Sequence, residues 1–326
     1  MILAGDIGGT KTLIGLFEYT MRRPMPIDVR AFATTEYPGL PAIIDAFRAE
    51  QRALPAIDAA VFGIAGPIIE QSAEMTNVEW KVERDELIRV LGIPHVRLLN
   101  DLEAMAYGVP ALTSDELATL QQGRPRPDGN LALIAAGTGL GEAVLHYVDG
   151  RYRPVASEGG HTDFAARTDR ELELVRFLTD RYGRAEIEHV LSGPGILNLS
   201  DFTHQDGRCE TLAHLDANAP DIPAEVSASA LAGRCSCCVE ALNLFVEAYG
   251  AAAGNLALTI VASGVFIGGG IAPRILPALQ DGRFIKVFND KGPMRPLLGA
   301  VSVQVILNPE SGLLGAAMYA SGMLSR

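Results

Sequence analysis

Basic residues are in short supply in this chain: 27 Lys and Arg stand against 39 Asp and Glu, a formal net charge of −12 over 326 residues. A polymeric polyanion needs a basic face, so nucleic acid is excluded as the main partner, while a local cluster still suffices for one nucleotide. The opening residues Met1-Ile2-Leu3-Ala4-Gly5-Asp6 have no basic run and meet an acid almost at once, which argues against a signal peptide. Long apolar runs are lacking as well. The nearest is Ala251 to Ile271, and Asn255, Thr259, Ser263 and the glycines Gly264 and Gly268 to Gly270 interrupt it. It reads as a buried small-residue helix followed by a strand and a turn, so no membrane span is expected.

Cysteine is scarce too, at four residues. Cys235, Cys237 and Cys238 form a C-x-C-C cluster and Cys209 stands apart, but no nearby His completes a four-ligand set, since His214 lies far off in a polar loop. Helical periodicity over Ala228–Phe245 puts these thiols mostly on a packed face. The expectation is therefore structural thiols in a reducing cytoplasm, and no metal.

What is present is ordinary for a globular protein, 48% hydrophobic and 20% charged. The length allows two domains, because single cores stop growing at roughly 250–300 residues. Short apolar runs that read as strands alternate with helical patterns. Strands are expected at Ile2–Ile7, Lys11–Glu18, Asp28–Thr34, Ala59–Ile64 and Val96–Leu99, with helices at Leu40–Arg52, Glu83–Leu91 and Leu102–Tyr107. This is an α/β arrangement with a mixed sheet. Thr113 to Asn130 is polar, contains Pro125 and Pro127, and reads as a connector. The pattern then restarts with strands at Leu131–Ala136 and Glu142–Val148. Farther on come a short helix at Ala185–Leu191, a long helical region at Ala228–Val261, a strand at Gly264–Ile267, two short helices at Ile275–Leu279 and Phe284–Phe288, and a strand at Val301–Ile306. A terminal helix at Ser311–Met323 has a small-residue face fit to pack back on either domain.

Three glycine turns punctuate this pattern. The first is Gly5-Asp6-Ile7-Gly8-Gly9-Thr10, between two strands. Gly8 and Gly9 permit close approach of phosphate oxygens, Thr10 offers a hydroxyl, and Asp6 can hold a water on Mg²⁺. It is neither a Walker motif nor G-x-G-x-x-G. The second is Gly137-Thr138-Gly139-Leu140-Gly141, at the corresponding place in the second half, which suggests an internal duplication holding one nucleotide between the halves. The third is Gly268-Gly269-Gly270, where a flat ring or a phosphate can lie against bare backbone.

The carboxylates sit around these turns. Asn100 and Asp101 end the Val96 strand just ahead of a helix, a position where ligands of α/β sheets bind. An Asp there can take a proton from a substrate hydroxyl if a phosphate is held nearby. Glu158 and His161 flank Gly159-Gly160 and can converge on one polar ligand; a metal site with Asp163 lacks a further ligand at a suitable spacing. Glu186 and Glu188 precede Leu191-Ser192-Gly193-Pro194-Gly195, and the residues themselves leave open which of them, if either, is functional.

Gly-Asp-Ile-Gly-Gly-Thr, Leu-Asn-Asp, Gly-Thr-Gly-Leu-Gly, Glu-Gly-Gly-His-Thr-Asp-Phe, Leu-Ser-Gly-Pro-Gly and Phe-Ile-Gly-Gly-Gly-Ile-Ala-Pro-Arg stand in the order seen in bacterial glucokinases, and the resemblance runs over nearly the whole chain. It implies the actin-like ATPase (ribonuclease H-like) fold, with two domains and a cleft between them that closes on ATP and glucose. The expected domains are 1–108 plus 310–326 (small) and 109–309 (large). It further implies transfer of the γ-phosphoryl of MgATP to the glucose 6-hydroxyl, in a cytoplasmic protein that is commonly a homodimer.

By motif, Asn100, Asp101, Glu158, His161 and Glu188 resemble the sugar ligands, with Asp101 similar to the family's base. Glu188 rather than Glu186 stands at the family's register. Gly5, Asp6, Ile7, Gly8, Gly9 and Thr10 resemble the first ATP phosphate turn, Gly137 and Thr138 the second, and Gly268 and Gly269 complete the expected nucleotide ligands. Lys11 stands where many bacterial glucokinases have Asn, and Lys is the form common in the related ROK sugar kinases. The ROK zinc signature, closely spaced cysteines near the catalytic Glu and His, is absent, which points to the zinc-free branch. The alternatives are a kinase for another hexose or an N-acetylamino sugar, and a catalytically silent sugar sensor of the same fold.

Overall fold

The computed structural model describes residues 1–20, 22–51, 55–75, 78–205, 207, 209–213 and 222–324. Arg52 and His214, named above, lie outside these. The chain divides into two compact units, the first made of Met1–Ser114, Tyr152–Ala156 and Asn308–Arg326, the second of Asp115–Arg151 and Ser157–Leu307.

In the first unit, strands β1 (Ile2–Ile7), β2 (Lys11–Glu18), β3 (Met25–Ala33), β4 (Ala59–Ile64), the small hairpin β5 (Ser72–Met75) and β6 (Trp80–Glu83), and β7 (Val96–Asn100) occur in that order. The main sheet runs β3-β2-β1-β4-β7. The first three strands pair antiparallel, and β1, β4 and β7 pair parallel. Residues alternate between two cores, with Leu3, Phe62 and Leu98 on one face and Ile2, Val61 and Leu99 on the other. Burial on both faces is what a parallel sheet requires, and it explains the near-continuous apolar strands. The terminal helix Ser311–Leu324 packs in the second of these cores, through Leu313, Ala316, Ala317 and Ala320.

Register decides where the chemistry goes. Ile7 lies opposite Ile64, and Ile64 opposite Asn100. The glycine turn after β1, the Ala65-Gly66 turn after β4 and Asp101 after β7 therefore emerge at one edge of the sheet.

The second unit contains β8 (Leu117–Gln121), β9 (Leu131–Ala136), β10 (Leu140–Val148), β12 (Gly264–Gly268) and β13 (Ser302–Ile306), in the order β10-β9-β12-β13-β8. A further strand, β11 (Arg151–Ser157), follows β10 in sequence. An antiparallel glycine hairpin followed by two parallel strands recurs here in the sense of β2-β1-β4-β7.

Three expectations change. The connector at 113–130 contains β8, which pairs antiparallel with β13, and Ala118 and Leu120 pack on the core from one face of it. The long helical region is broken into Ile222–Leu231 and Ser236–Thr259, bent by 101°. The break falls at Gly233, whose φ of +64° suits glycine, and at the extended Cys235 that starts the second helix. Ala185–Leu191 is not a helix. Its N–H groups are drawn to another segment: Ile187 donates to the Thr162 carbonyl (2.9 Å) and Glu188 to that of Gly160 (2.9 Å), while Glu186 bridges to Asp163. Among the described residues no single helix is long and apolar enough to cross a membrane.

Candidate active site

In the first unit the glycine turn is a tight reversal in which Gly8 N–H donates to the Lys11 carbonyl (3.0 Å). A Cβ on Gly8 would lie 2.9 Å from that oxygen, so the turn needs glycine there. Buried Thr34 braces it: its hydroxyl donates to the Gly8 carbonyl (2.8 Å), and its N–H donates to the Thr10 carbonyl (3.0 Å). Thr34 carries no motif, and only the β2–β3 pairing brings it here. Gly9 is half-buried, and Thr10 and Lys11 are exposed at the tip. Gly5 has another role, because a Cβ there would sit 2.5 Å from the Phe62 ring; it is a packing glycine inside the sheet, and Ile7 is likewise core.

Asp6 is the most perturbed acid of this unit. Burial, and then the neighbouring Asp101 carboxylate, push its pKa from an ordinary 3.8 up to about 6, against the opposing pull of Lys11. Its carboxylate also faces the start of the terminal helix, where a Cβ on Gly312 would come within 2.8 Å of Oδ2. The Asp6 and Asp101 carboxylates at one sheet edge form a donor set suited to a hydrated divalent cation, whose charge would relieve the acid pair. The set fits Mg²⁺.

Asn100 caps the helix Asp101–Gly108: its Oδ1 accepts from Leu102 N–H (3.0 Å) and Glu103 N–H (3.2 Å), and its Nδ2 donates to the Gly66 carbonyl (3.0 Å). The amide nitrogen has two hydrogens, so one N–H is what Asn100 can offer a ligand. Asp101 is the first helical residue, and its Oδ1 accepts from Leu102 N–H (2.9 Å). A carboxylate held at a helix N-terminus is favoured by the dipole and fixed in direction.

In the second unit, Gly137 N–H donates to the Gly139 carbonyl (2.8 Å) and the Gly137 carbonyl accepts from Gly193 N–H (2.8 Å), which joins the second glycine turn to Leu-Ser-Gly-Pro-Gly. Ser192 is the N-cap of the helix Gly193–Thr203, accepting from Gly195 N–H (2.9 Å). Glu188 holds the same turn: its Oε2 accepts from Leu140 N–H (2.7 Å), and a Cβ on Gly139 would lie 2.6 Å from that oxygen. Thr138, between these two glycines, is exposed on that turn. Gly268 ends β12, and Gly269 has φ of +82° with its α-carbon so close to the end of β9 that a side chain would overlap the Ala136 carbonyl. Buried Tyr249 ties these two strand ends together: its hydroxyl donates toward the Ile134 (3.2 Å) and Gly268 (3.4 Å) carbonyls and accepts from Ala136 N–H (3.2 Å).

Glu158 and His161 are exposed at the ends of the short 3₁₀ turn Gly159–His161. The sequence reading sets Glu186 aside, and the fold gives it a part: His161 Nδ1 contacts Glu186 Oε2 (2.9 Å). That hydrogen bond, followed by the nearby carboxylates, raises the imidazole pKa despite some desolvation, and in return lowers that of Glu186. It fixes Nδ1 as the donor and leaves Nε2 for a ligand. Asp163 pairs with Arg184 (2.8 Å), which also donates to the His161 carbonyl (2.9 Å). Arg184 thus locks the turn from outside.

Glu142, on β10, is a residue that motif reading passes over. It is 8% exposed, and it lies against Gly159 so closely that a Cβ there would overlap its Oε2. Burial raises its pKa from an ordinary 4.5 to about 7. A carboxyl raised on folding stabilises the native state fully below its ordinary pKa, and that stability is lost as pH rises through about 7. The loss amounts to about 3 kcal/mol. The melting temperature of the wild type is expected to fall between about pH 5 and pH 8, and Glu142→Gln to flatten that fall. Parallel pH profiles for the two proteins in thermal melts would refute the buried charge.

A sequence profile described as Glucokinase matches residues 3–323 of the chain. A glucokinase of Nostoc punctiforme is 38% identical over 98% of this chain and 99% of its own length, and one of Synechocystis is 39% identical over 98% and 97%. Among solved structures, a glucokinase from an Antarctic psychrotroph superposes with a TM-score of 0.86 at 30% identity, covering 98% of both chains. A ROK family glucokinase from Streptomyces griseus, in complex with glucose and AMPPNP, shares the fold at a TM-score of 0.67 and 22% identity, covering 98% of this chain and 99% of its own.

Proposed function

We propose how this chain, which belongs to the glucokinase family, carries out the ATP-dependent phosphorylation of glucose: Asp101 is the general base toward the 6-hydroxyl. The observation that carries the assignment is the strand register, which sets Asp101, held by the Leu102 N–H at a helix start, at the same sheet edge as Asp6 and the first glycine turn. The O–H proton passes to the Asp101 carboxylate as the oxygen bonds to the γ-phosphorus and the bond to the ADP oxygen breaks. In a loose transition state that proton moves late, so a carboxylate of ordinary basicity suffices.

The other roles rest on the same reading. Asn100 gives its remaining amide N–H to the sugar, and Glu158, His161 through Nε2 and Glu188 through Oε1 bind further hydroxyls. Each lost partner leaves a buried polar group unpaired, at about 1–3 kcal/mol, which is the basis of discrimination among sugars. Gly8, Gly9, Thr10, Gly137, Thr138, Gly268 and Gly269 present backbone to ATP, while Gly5 and Ile7 support the turn from within the sheet. Asp6 is the residue that would hold hydrated Mg²⁺, and the ion supplies charge neutralisation on the phosphate oxygens. The homodimer and the cytoplasmic location follow from the family resemblance.

A coupled assay of ADP formation with glucose, mannose, fructose and N-acetylglucosamine tests the reading. Glucose is expected to give the highest kcat/KM, by at least about tenfold, because a pocket fitted to each hydroxyl penalises every misplaced one. A higher value with N-acetylglucosamine or fructose would reassign the substrate.

A further inference from the structure

Well away in sequence from Asp101, Glu158 and His161, the chain assembles a four-residue cluster that the reaction does not use. His204 follows the helix Gly193–Thr203, Cys209 lies just beyond it, and Cys235 and Cys238 stand at the start of the helix Ser236–Thr259. Their ligand atoms all lie within 4.8 Å of one another. His204 Nε2 is 3.4 Å from Cys235 Sγ and 3.9 Å from Cys238 Sγ, and Cys209 Sγ is 4.0 Å from Cys238 Sγ. The sequence alone offers these cysteines no histidine; the bend at Gly233 and the end of the helix Gly193–Thr203 supply one.

The geometry points to a structural Zn²⁺ site of the Cys₃His type, formed by His204, Cys209, Cys235 and Cys238. Zn–S bonds of about 2.3 Å and a Zn–N bond of about 2.0 Å in a tetrahedron place sulfurs about 3.8 Å apart and sulfur and nitrogen about 3.5 Å apart. The observed separations of 4.0, 3.9 and 3.4 Å fall within a few tenths of an ångström of these. A disulfide, by contrast, brings its sulfurs to about 2.05 Å, and all four cysteines are free thiols.

The histidine is set up as a ligand. His204 is only 9% exposed, and its Nδ1 lies 2.8 Å from the Ser200 carbonyl oxygen, an acceptor only. Nδ1 therefore carries the hydrogen, and Nε2 turns its lone pair toward the thiols, the tautomer a metal needs and the kind of outer partner that metal-bound histidines have. Cys235 and Cys238 have the C-x₂-C spacing of zinc ligands, whereas Cys237 is outside the set. Binding releases the three thiol protons and leaves the imidazole neutral, so the four-coordinate complex carries a net charge of −1 and is closed to substrate.

Zinc here would pin the C-terminal end of the helix Gly193–Thr203, whose N-terminal end bonds the second glycine turn through Gly193. These are not the positions of the ROK signature, which stands beside the sugar-binding Glu and His.

The test is elemental analysis of the full-length protein purified without chelator, with Cys237→Ser, His204→Ala and Cys238→Ser beside it. About one zinc per chain is expected in the wild type and in Cys237→Ser, and little in the other two. Replacing zinc by Co²⁺ should give the visible bands of a tetrahedral thiolate site, and chelation should lower the melting temperature by about 5–10 °C. If the two ligand variants fail to fold, the wild-type metal content and cobalt spectrum decide. Wild-type protein that is zinc-free and gains no stability on adding zinc under reducing conditions would overturn the site. So would a disulfide among the four thiols, iron in place of zinc, or zinc retained by soluble His204→Ala and Cys238→Ser.

Discussion

Asp101→Asn is expected to lower kcat by about 10²–10⁴ while leaving the glucose dissociation constant nearly unchanged. The substitution is selective because of what it keeps. The Asn oxygen can still accept from Leu102 N–H, now 2.9 Å from Asp101 Oδ1, so the helix start survives. What disappears is a group that can take the hydroxyl proton. Removing the charge beside Asp6 has a second readout, since Asp101 is the larger of the two charged neighbours that displace the Asp6 pKa and it raises that pKa. In the variant, the Asp6 carboxyl should titrate closer to its ordinary range, visible by NMR of a side-chain-labelled sample. Stopped-flow turnover with calorimetric glucose titration gives the first result. Turnover within about threefold of the wild type would take the base role from Asp101.

Gly315→Ala is expected to cost about 3 kcal/mol or more in stability and to depress turnover with it. The terminal helix Ser311–Leu324 crosses the helix Asp101–Gly108 almost backbone to backbone: a Cβ on Gly315 would overlap the Ala104 carbonyl, and one on Gly108 would lie 2.7 Å from the Ser311 carbonyl oxygen. One methyl group forces the two helices apart, because main-chain atoms cannot turn away as a flexible side chain can. The helix that moves is the one that begins at Asp101. A thermal melt should show a loss of about 5–10 °C, and kcat should fall at temperatures where the protein is still folded. Gly322→Ala, in the same helix with nothing near its Cβ position, is the control and should be neutral or slightly stabilising. Equal stability of the two variants would refute the close crossing.

The catalytic assignments and the zinc cluster differ in how visible they are in sequence, and the difference is physical. Asn100 and Asp101 are adjacent, and each glycine turn is a contiguous run, so local chain chemistry displays them. Glu142 and Thr34 carry no such mark. Each matters because of a strand partner or a turn far off in the chain, and no spacing rule encodes that. The segment Ala185–Leu191 shows the limit from the other side. Its apolar spacing fits a helix, yet its N–H groups found better acceptors at Thr162 and Gly160, and tertiary hydrogen bonds overrode the local preference.

By itself the sequence determined the α/β class, the two glycine hairpins and their place at strand ends, and the acidic residues around them, because strand alternation, turn chemistry and helix starts act over a few residues. Only the tertiary structure decided that His161 is oriented by Glu186, that Glu188 grips the second turn, and that His204 meets three thiols. Those contacts depend on where distant backbones come to rest, a matter of long-range packing that local chain preferences leave open.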